Sequence, residues 1–133
     1  MIVIQTLNYK ESLKFIEESH KFGIRLGLEN SLKLLELLGN PQDKLKIIHV
    51  AGTNGKGSVC SFIANSLQAQ GYKVGLYTSP YLEKFTERIR INGENITEED
   101  VARIVTLMRE KIEQMVKDGF AYPTEFEIET AMA

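Results

Sequence analysis

A chain of 133 residues that is 43% hydrophobic and 26% charged is long enough for one packed domain and too apolar for a disordered segment. Its net charge of −2 gives no general attraction to nucleic acid or an anionic membrane, so any anion site must be local. The single cysteine, Cys60, excludes an internal disulfide and fits a reducing, cytoplasmic compartment; the short apolar start Met1 to Gln5 makes no signal peptide, and no apolar run approaches a membrane span.

From about Tyr9 to Phe22, apolar Leu13, Phe15 and Ile16 alternate with polar residues at helical spacing, which predicts an amphipathic helix. A linker from Gly23 to Gly27 carries Arg25. A second helix is expected from about Asn30 to Leu38, ended by Gly39-Asn40-Pro41. Leu45 to Ala51 is apolar enough for a strand buried on both faces of a parallel sheet. A third helix follows from Gly57 to about Gln70, with Gly71 as its left-handed cap. Tyr72 to Tyr77 reads as the next strand, and strand, helix and strand would form one right-handed βαβ unit.

Thr78 to about Asn95 is long, polar and irregular, and it follows a strand end, where α/β sheets place their ligands. Within it, Arg88 to Gly93 alternates and is expected to hold a short strand ending in a turn. Thr97 caps a further helix, with Glu98, Glu99 and Asp100 in its acidic first turn, running to about Lys117 before Asp118-Gly119. The segment from Thr124 to Ala133 reads as the start of one more helix, broken off without a stop signal, which suggests a fragment.

The chemistry concentrates in Gly52-Thr53-Asn54-Gly55-Lys56-Gly57-Ser58, between an expected strand and an expected helix. Glycines let successive backbone N–H groups face one anion, and a helix N-terminus adds its dipole. Lys56 supplies a mobile positive charge, and Ser58 is placed to meet a phosphate oxygen or a bound magnesium ion. The spacing departs from the common nucleotide loop: two residues separate Gly52 from Gly55, and Gly57 stands between Lys56 and Ser58. A tight packing turn with a solvated lysine is the rival reading, and phosphate binding is preferred because Gly55, Lys56, Gly57 and Ser58 all fall where a cradle needs them.

Other polar residues have plainer readings. Ser79, taken alone, is a turn former before Pro80. Arg25, Arg88 and Arg90 are either a solvated charged surface or partners for phosphate or carboxylate. Thr124-x-x-Glu127 fits a capping box. His49 reads as a core histidine, Cys60 as a small buried filler, and His20 and the cluster Glu98 to Asp100 as surface.

The run His49 to Ser58, with Gly71 to Leu82 and Phe85-Thr86-Glu87-Arg88-Ile89-Arg90, closely resembles the folylpolyglutamate synthase/dihydrofolate synthase family of the Mur-ligase superfamily. The resemblance extends from about Tyr9 to Ala133. The cradle alone points to the superfamily, whereas the Thr78-Ser79-Pro80 loop and the Thr86-Glu87-Arg88 segment single out the folate branch.

The resemblance implies an α/β fold: a P-loop-containing, parallel-sheet nucleotide-binding domain of Mur ligase type, incomplete in its sheet. Residues 1–133 would be the amino-terminal part of the ATP-binding central domain, with the carboxy-terminal domain absent. It further implies an ATP- and Mg2+-dependent ligase that activates folate or dihydropteroate as an acyl phosphate and joins it to L-glutamate, in a parent enzyme that is monomeric. By position, Gly52, Thr53, Asn54, Gly55, Lys56, Gly57 and Ser58 would bind ATP, with Lys56 neutralising charge during phosphoryl transfer, and Ser79 would bind magnesium. Arg25, Leu26, Gly27 and Leu28, with Thr124, Glu125, Phe126 and Glu127, would bind the pterin. The resemblance also implies that the chain alone is inactive, because the acidic and histidine metal ligands and the adenine contacts should lie beyond Ala133. A cell-wall-type ligase fragment and a non-catalytic nucleotide- or phosphate-binding module are the alternatives.

Overall fold

The computed structural model describes residues 5–24 and 26–133. In chain order its elements are α1 (Tyr9–Glu18), α2 (Glu29–Leu37), α3 (Lys56–Ala69), β1 (Gly75–Tyr77), β2 (Ile89–Ile91), β3 (Glu94–Asn95), α4 (Glu98–Lys117) and α5 (Glu125–Met132), with 3-10 turns at Ser19–Phe22, Pro41–Lys44 and Phe85–Arg88. The chain divides into two compact units, Met1–Leu45 with Glu99–Ala133, and Lys46–Glu98.

The first unit is helical. Asn8 starts α1 by accepting the Glu11 N–H at 2.9 Å, while the Glu11 carboxylate accepts the Asn8 N–H at 2.8 Å. This reciprocal cap satisfies two donors that a helix start leaves free. α5 begins the same way. The Thr124 hydroxyl oxygen accepts the Glu127 N–H at 3.3 Å, and the Glu127 carboxylate accepts the Thr124 N–H at 2.8 Å. α5 packs against α1 and α2. The core collects one face of each helix: Ile16 of α1, Leu34 of α2, Val101, Val105, Met108, Ile112 and Met115 of α4, and Ile128 of α5, all buried. The α4 positions recur at intervals of three and four, the stripe that an amphipathic helix turns inward. Tyr122 stacks on Phe22 with ring centroids 4.6 Å apart. Burial pushes its hydroxyl above the usual tyrosine range; a Ser19 hydrogen bond opposes that shift, and the charges of Glu18 and Glu113 add to it.

The second unit sets α3 against a three-stranded sheet of order β1-β2-β3. Both pairings are antiparallel, with Leu76 opposite Arg90 and Ile91 opposite Glu94. Asn92 and Gly93 form the two-residue turn, at φ 50° and 83°. Two successive left-handed residues are what the twist of a tight hairpin requires, and Asn-Gly is the pair that adopts them most readily. α3 ends as expected at Gly71, whose φ is 87°.

The expected parallel βαβ unit is a correction. Among the described residues no strand forms over Leu45 to Ala51, and Leu45, Ile47 and Ile48 are 62%, 67% and 59% exposed. A strand apolar on both faces needs neighbouring strands and covering layers, and the described residues pair nothing with it. His49 accordingly is exposed rather than a core histidine. The strand expected from Tyr72 forms only over Gly75–Tyr77, the length that its antiparallel partner matches. Cys60 is half-buried and free, not a fully buried filler. Among the described residues no helix is long and apolar enough to cross a membrane.

Candidate phosphate loop and substrate segments

The loop Gly52 to Ser58 lies exposed at the start of α3. Gly55 occupies the cap position at φ 76°, ψ 0°, a left-handed backbone that offers no side chain to the first-turn N–H groups. α3 therefore begins with no side-chain cap hydrogen bond, at the end where its dipole is positive. The Lys56 ammonium folds back over the loop and donates to the Gly52 carbonyl at 2.7 Å and the Thr53 carbonyl at 3.4 Å. That holds the one cation of the loop beside the uncapped turn. A Cβ built on Gly57 meets no atom within 4 Å, and Gly57 has no left-handed φ that would demand glycine. Neither packing nor backbone strain accounts for that glycine, whereas close approach of an anion to the backbone does. The arrangement fits a nucleotide's phosphates.

Ser79 belongs to the same unit. Its hydroxyl accepts a hydrogen bond from Arg88 Nη1 at 2.7 Å. A hydroxyl has a second lone pair, so Ser79 retains one neutral oxygen for a cation. Among the described residues no group of three or more His, Cys, Asp or Glu could hold a metal ion. A magnesium ion at Ser79 would therefore take its other ligands from phosphates and water, the manner in which it commonly binds.

The segments expected to bind the substrate fall in the first unit. Arg25 lies outside the described residues. Leu26 and Leu28 are 94% and 69% exposed, and Phe126, on the first turn of α5, is 69% exposed. Glu127 is buried, and besides capping α5 it accepts the Ser31 hydroxyl of α2 at 3.2 Å. That bond brings together two segments separated by 96 positions in sequence. The Glu125 carboxylate lies 2.8 Å from His20 Nδ1. Leu26 and Gly27 line a cavity of about 450 Å³, together with Glu29, Asn30, Asp118 and Phe120. The side-chain nitrogen of Asn30 is buried with no hydrogen-bond partner among the described residues. An unpaired buried amide is costly, and a ligand carbonyl in this cavity is one way to satisfy it. Sequence reasoning took Asn30 only as a helix start, and no local pattern signals its buried, unpaired amide.

Glu87 enters the sequence reading only as part of a family segment, and Arg88 as that or as a charged surface or anion partner. Glu87 accepts the N–H groups of Leu82, Glu83 and Lys84 at 2.9, 3.0 and 2.8 Å. The donors of Leu82 and then Lys84 hold its carboxyl below the usual carboxylate range, against an opposing effect of burial. The Arg88 guanidinium lies 4.9 Å from the Tyr81 ring centroid and 5.7 Å from that of Phe85.

No protein-family model matches the chain. Similarity to known proteins is nonetheless high. The chain is 43% identical to the dihydrofolate synthase/folylpolyglutamate synthase of Bacillus subtilis, over 94% of its own length and 29% of that protein. It is 39% identical to the folylpolyglutamate synthase of Lacticaseibacillus casei, over 95% of its own length and 30% of that protein. The crystal structure of folylpolyglutamate synthase from Thermotoga maritima superposes with a TM-score of 0.85 at 45% identity, over 94% of this chain and 29% of that one. A complex of folylpolyglutamate synthase with AMPPCP and folate gives a TM-score of 0.86 at 40% identity, over 96% of this chain and 31% of that one. The chain thus spans about 30% of the length of these relatives.

Proposed function

Because this chain belongs to the folylpolyglutamate synthase/dihydrofolate synthase family, we propose that it supplies the nucleotide-phosphate loop and part of the pterin surface of an ATP-dependent ligase. That ligase joins L-glutamate to folate or dihydropteroate. The observation that carries the reading is the uncapped start of α3, with the Lys56 ammonium folded beside it and open space over Gly57. The relative solved with AMPPCP and folate supports the two ligand classes.

In this reading the backbone from Gly52 to Ser58 receives the phosphates, and Lys56 offsets the charge that builds up as a phosphoryl group moves. The substrate carboxylate takes the terminal phosphoryl group of ATP, releasing ADP and leaving an acyl phosphate. The glutamate amine then displaces phosphate and loses a proton. Magnesium, when bound, screens the phosphate charge, and Ser79 would be one of its ligands. Leu26, Leu28 and Phe126 offer exposed apolar side chains to the flat pterin ring. Thr124 and Glu127 hold the start of α5 in place for that contact, and Arg25, Gly27 and Glu125 complete the two segments. The parent enzyme is read as monomeric and cytoplasmic, with the remaining nucleotide and glutamate contacts on a further domain.

Titration of the chain with ATP tests the reading. Weak binding is expected, and Lys56→Met should weaken it roughly tenfold or more, the loss of one charge-assisted hydrogen bond of about 1.5 kcal/mol. Equal binding by the variant refutes the phosphate loop. Folate or dihydropteroate should shift the resonances of Leu26, Leu28 and Phe126. Glutamate-dependent ADP release by the isolated chain would sink the division of labour proposed here.

A further inference from the structure

The irregular segment between β1 and β2 is closed by its own side chains. The Thr78 N–H donates to the Arg88 carbonyl at 2.9 Å, which pins the two ends of the loop together. Between them, a single carboxylate gathers three consecutive N–H groups: Glu87 Oε2 takes that of Leu82, and Oε1 takes those of Glu83 and Lys84. Bonds to an ionised acceptor are shorter and roughly twice as strong as neutral ones. Phe85 and Thr86, immediately before Glu87, are each only 6% exposed, so the turn that carries the carboxylate is itself anchored. The next residue, Arg88, is packed against the rings of Tyr81 and Phe85 and donates to Ser79 Oγ at 2.7 Å.

These contacts form one chain of constraint. Tyr81 immediately precedes the stretch 82–84 that Glu87 ties down, and its ring flanks the guanidinium that donates to Ser79. Releasing Leu82 to Lys84 would free Tyr81, then Arg88, and finally the Ser79 hydroxyl. We propose that Glu87 is a positioning residue for Ser79: its carboxylate folds loop 82–84 onto the turn bearing Arg88, and Arg88 in turn fixes the Ser79 hydroxyl for its ligand. The inference rests on the reading of Ser79 as a ligand of nucleotide-bound magnesium. Glu87 itself touches no substrate and acts only through its neighbours.

The test uses the 133-residue chain, with Mn2+ and ATP as a paramagnetic probe that detects weak binding. In the unsubstituted chain, Mn2+ with ATP should broaden the resonances of Ser79 and of Lys56 to Ser58. Glu87→Gln keeps the size of the side chain and removes its charge. It should speed amide exchange of Leu82, Glu83 and Lys84 about tenfold, leave exchange in α3 unchanged, and lose the broadening at Ser79 while keeping it at Lys56 to Ser58. Ser79→Ala, the control, should lose the broadening near position 79 with the three amides still protected.

Broadening near position 79 that survives in Glu87→Gln overturns the positioning role while leaving the magnesium reading intact. Faster exchange throughout α3 makes Glu87 a general stabiliser and also overturns it. No broadening near Ser79 in the unsubstituted chain, or full broadening in Ser79→Ala, removes the magnesium reading and this inference with it.

Discussion

Replacing Gly55 and Gly57 by alanine, one at a time, separates what the fold needs from what a phosphate needs. Neither added Cβ meets an atom within 4 Å, so no clash distinguishes the two positions. Backbone conformation does. Gly55 sits at φ 76°, where an L-residue costs about 1–2 kcal/mol. Gly57 lies in the first turn of α3 with no positive φ. Alanine there should stabilise the fold by about 0.4–1 kcal/mol, because the unfolded chain loses freedom that glycine would have kept. The two variants should therefore differ in stability by about 1.4–3 kcal/mol, with opposite signs relative to the parent. Unfolding in urea, followed by helicity, measures this difference. Nucleotide affinity should behave differently. The Gly57→Ala methyl group stands over the backbone where the phosphates would approach, so ATP binding should fall even as stability rises. A Gly57→Ala chain that is more stable and binds ATP as well as the parent would refute the close-approach argument. A destabilised one would refute the reading of that space as open.

Three further outcomes follow from burial and charge. Ile128→Ala empties a site with 0% exposure between α5 and the rest of the helical unit, and should cost about 2–5 kcal/mol in a denaturant melt. Because the folded pKa of Glu87 is lowered from its ordinary 4.5, the folded form binds fewer protons in acid than the unfolded one. Its contribution is present above about 4.5 and is lost as pH falls through the lowered value, so the melting difference between the parent and Glu87→Gln should shrink in acid. Tyr122 has the opposite geometry. Its folded pKa is raised from 10.0 by burial, so unfolding frees a phenol that ionises more readily. Stability should hold up to about pH 10 and decline as pH rises from there towards the raised value, and Tyr122→Phe should flatten that decline.

The helices were readable because their signals are local. Apolar spacing marked α1 and α2, Thr97 with its acidic first turn marked α4, Thr124 and Glu127 marked the start of α5, and the alternation over Arg88 to Gly93 marked a short strand ending in a turn. The strand expected over Leu45 to Ala51 failed for the opposite reason. An apolar run states that a segment must be covered, and says nothing about which strand lies beside it. Pairing is decided by distant segments, and β1 took its partner from residues 89–91 in antiparallel register instead. The exposed His49 is part of the same miss, since its burial was inferred from the strand.

The candidate site divides along the same physical line. The proposed phosphate loop is a backbone device within seven successive residues, and glycine, lysine and serine each leave a direct mark on the sequence. The proposed substrate segments leave no such mark. Leu26 to Leu28 reads as an ordinary linker, Thr124 to Glu127 as a cap, and only family resemblance joins them. The Ser31–Glu127 hydrogen bond ties α2, the helix that follows the first segment, to the second across 96 positions. Glu127 thus serves two structures at once, closing its own helix start and accepting from α2. A capping box explains the first and is blind to the second. The Glu87 clasp is hidden in another way: its partners are backbone N–H groups, which every residue but proline carries. A carboxylate that binds main chain cannot be matched to side-chain partners by reading residue types. Such anchors therefore become visible only in three dimensions, even where the residues they position are the easiest to name.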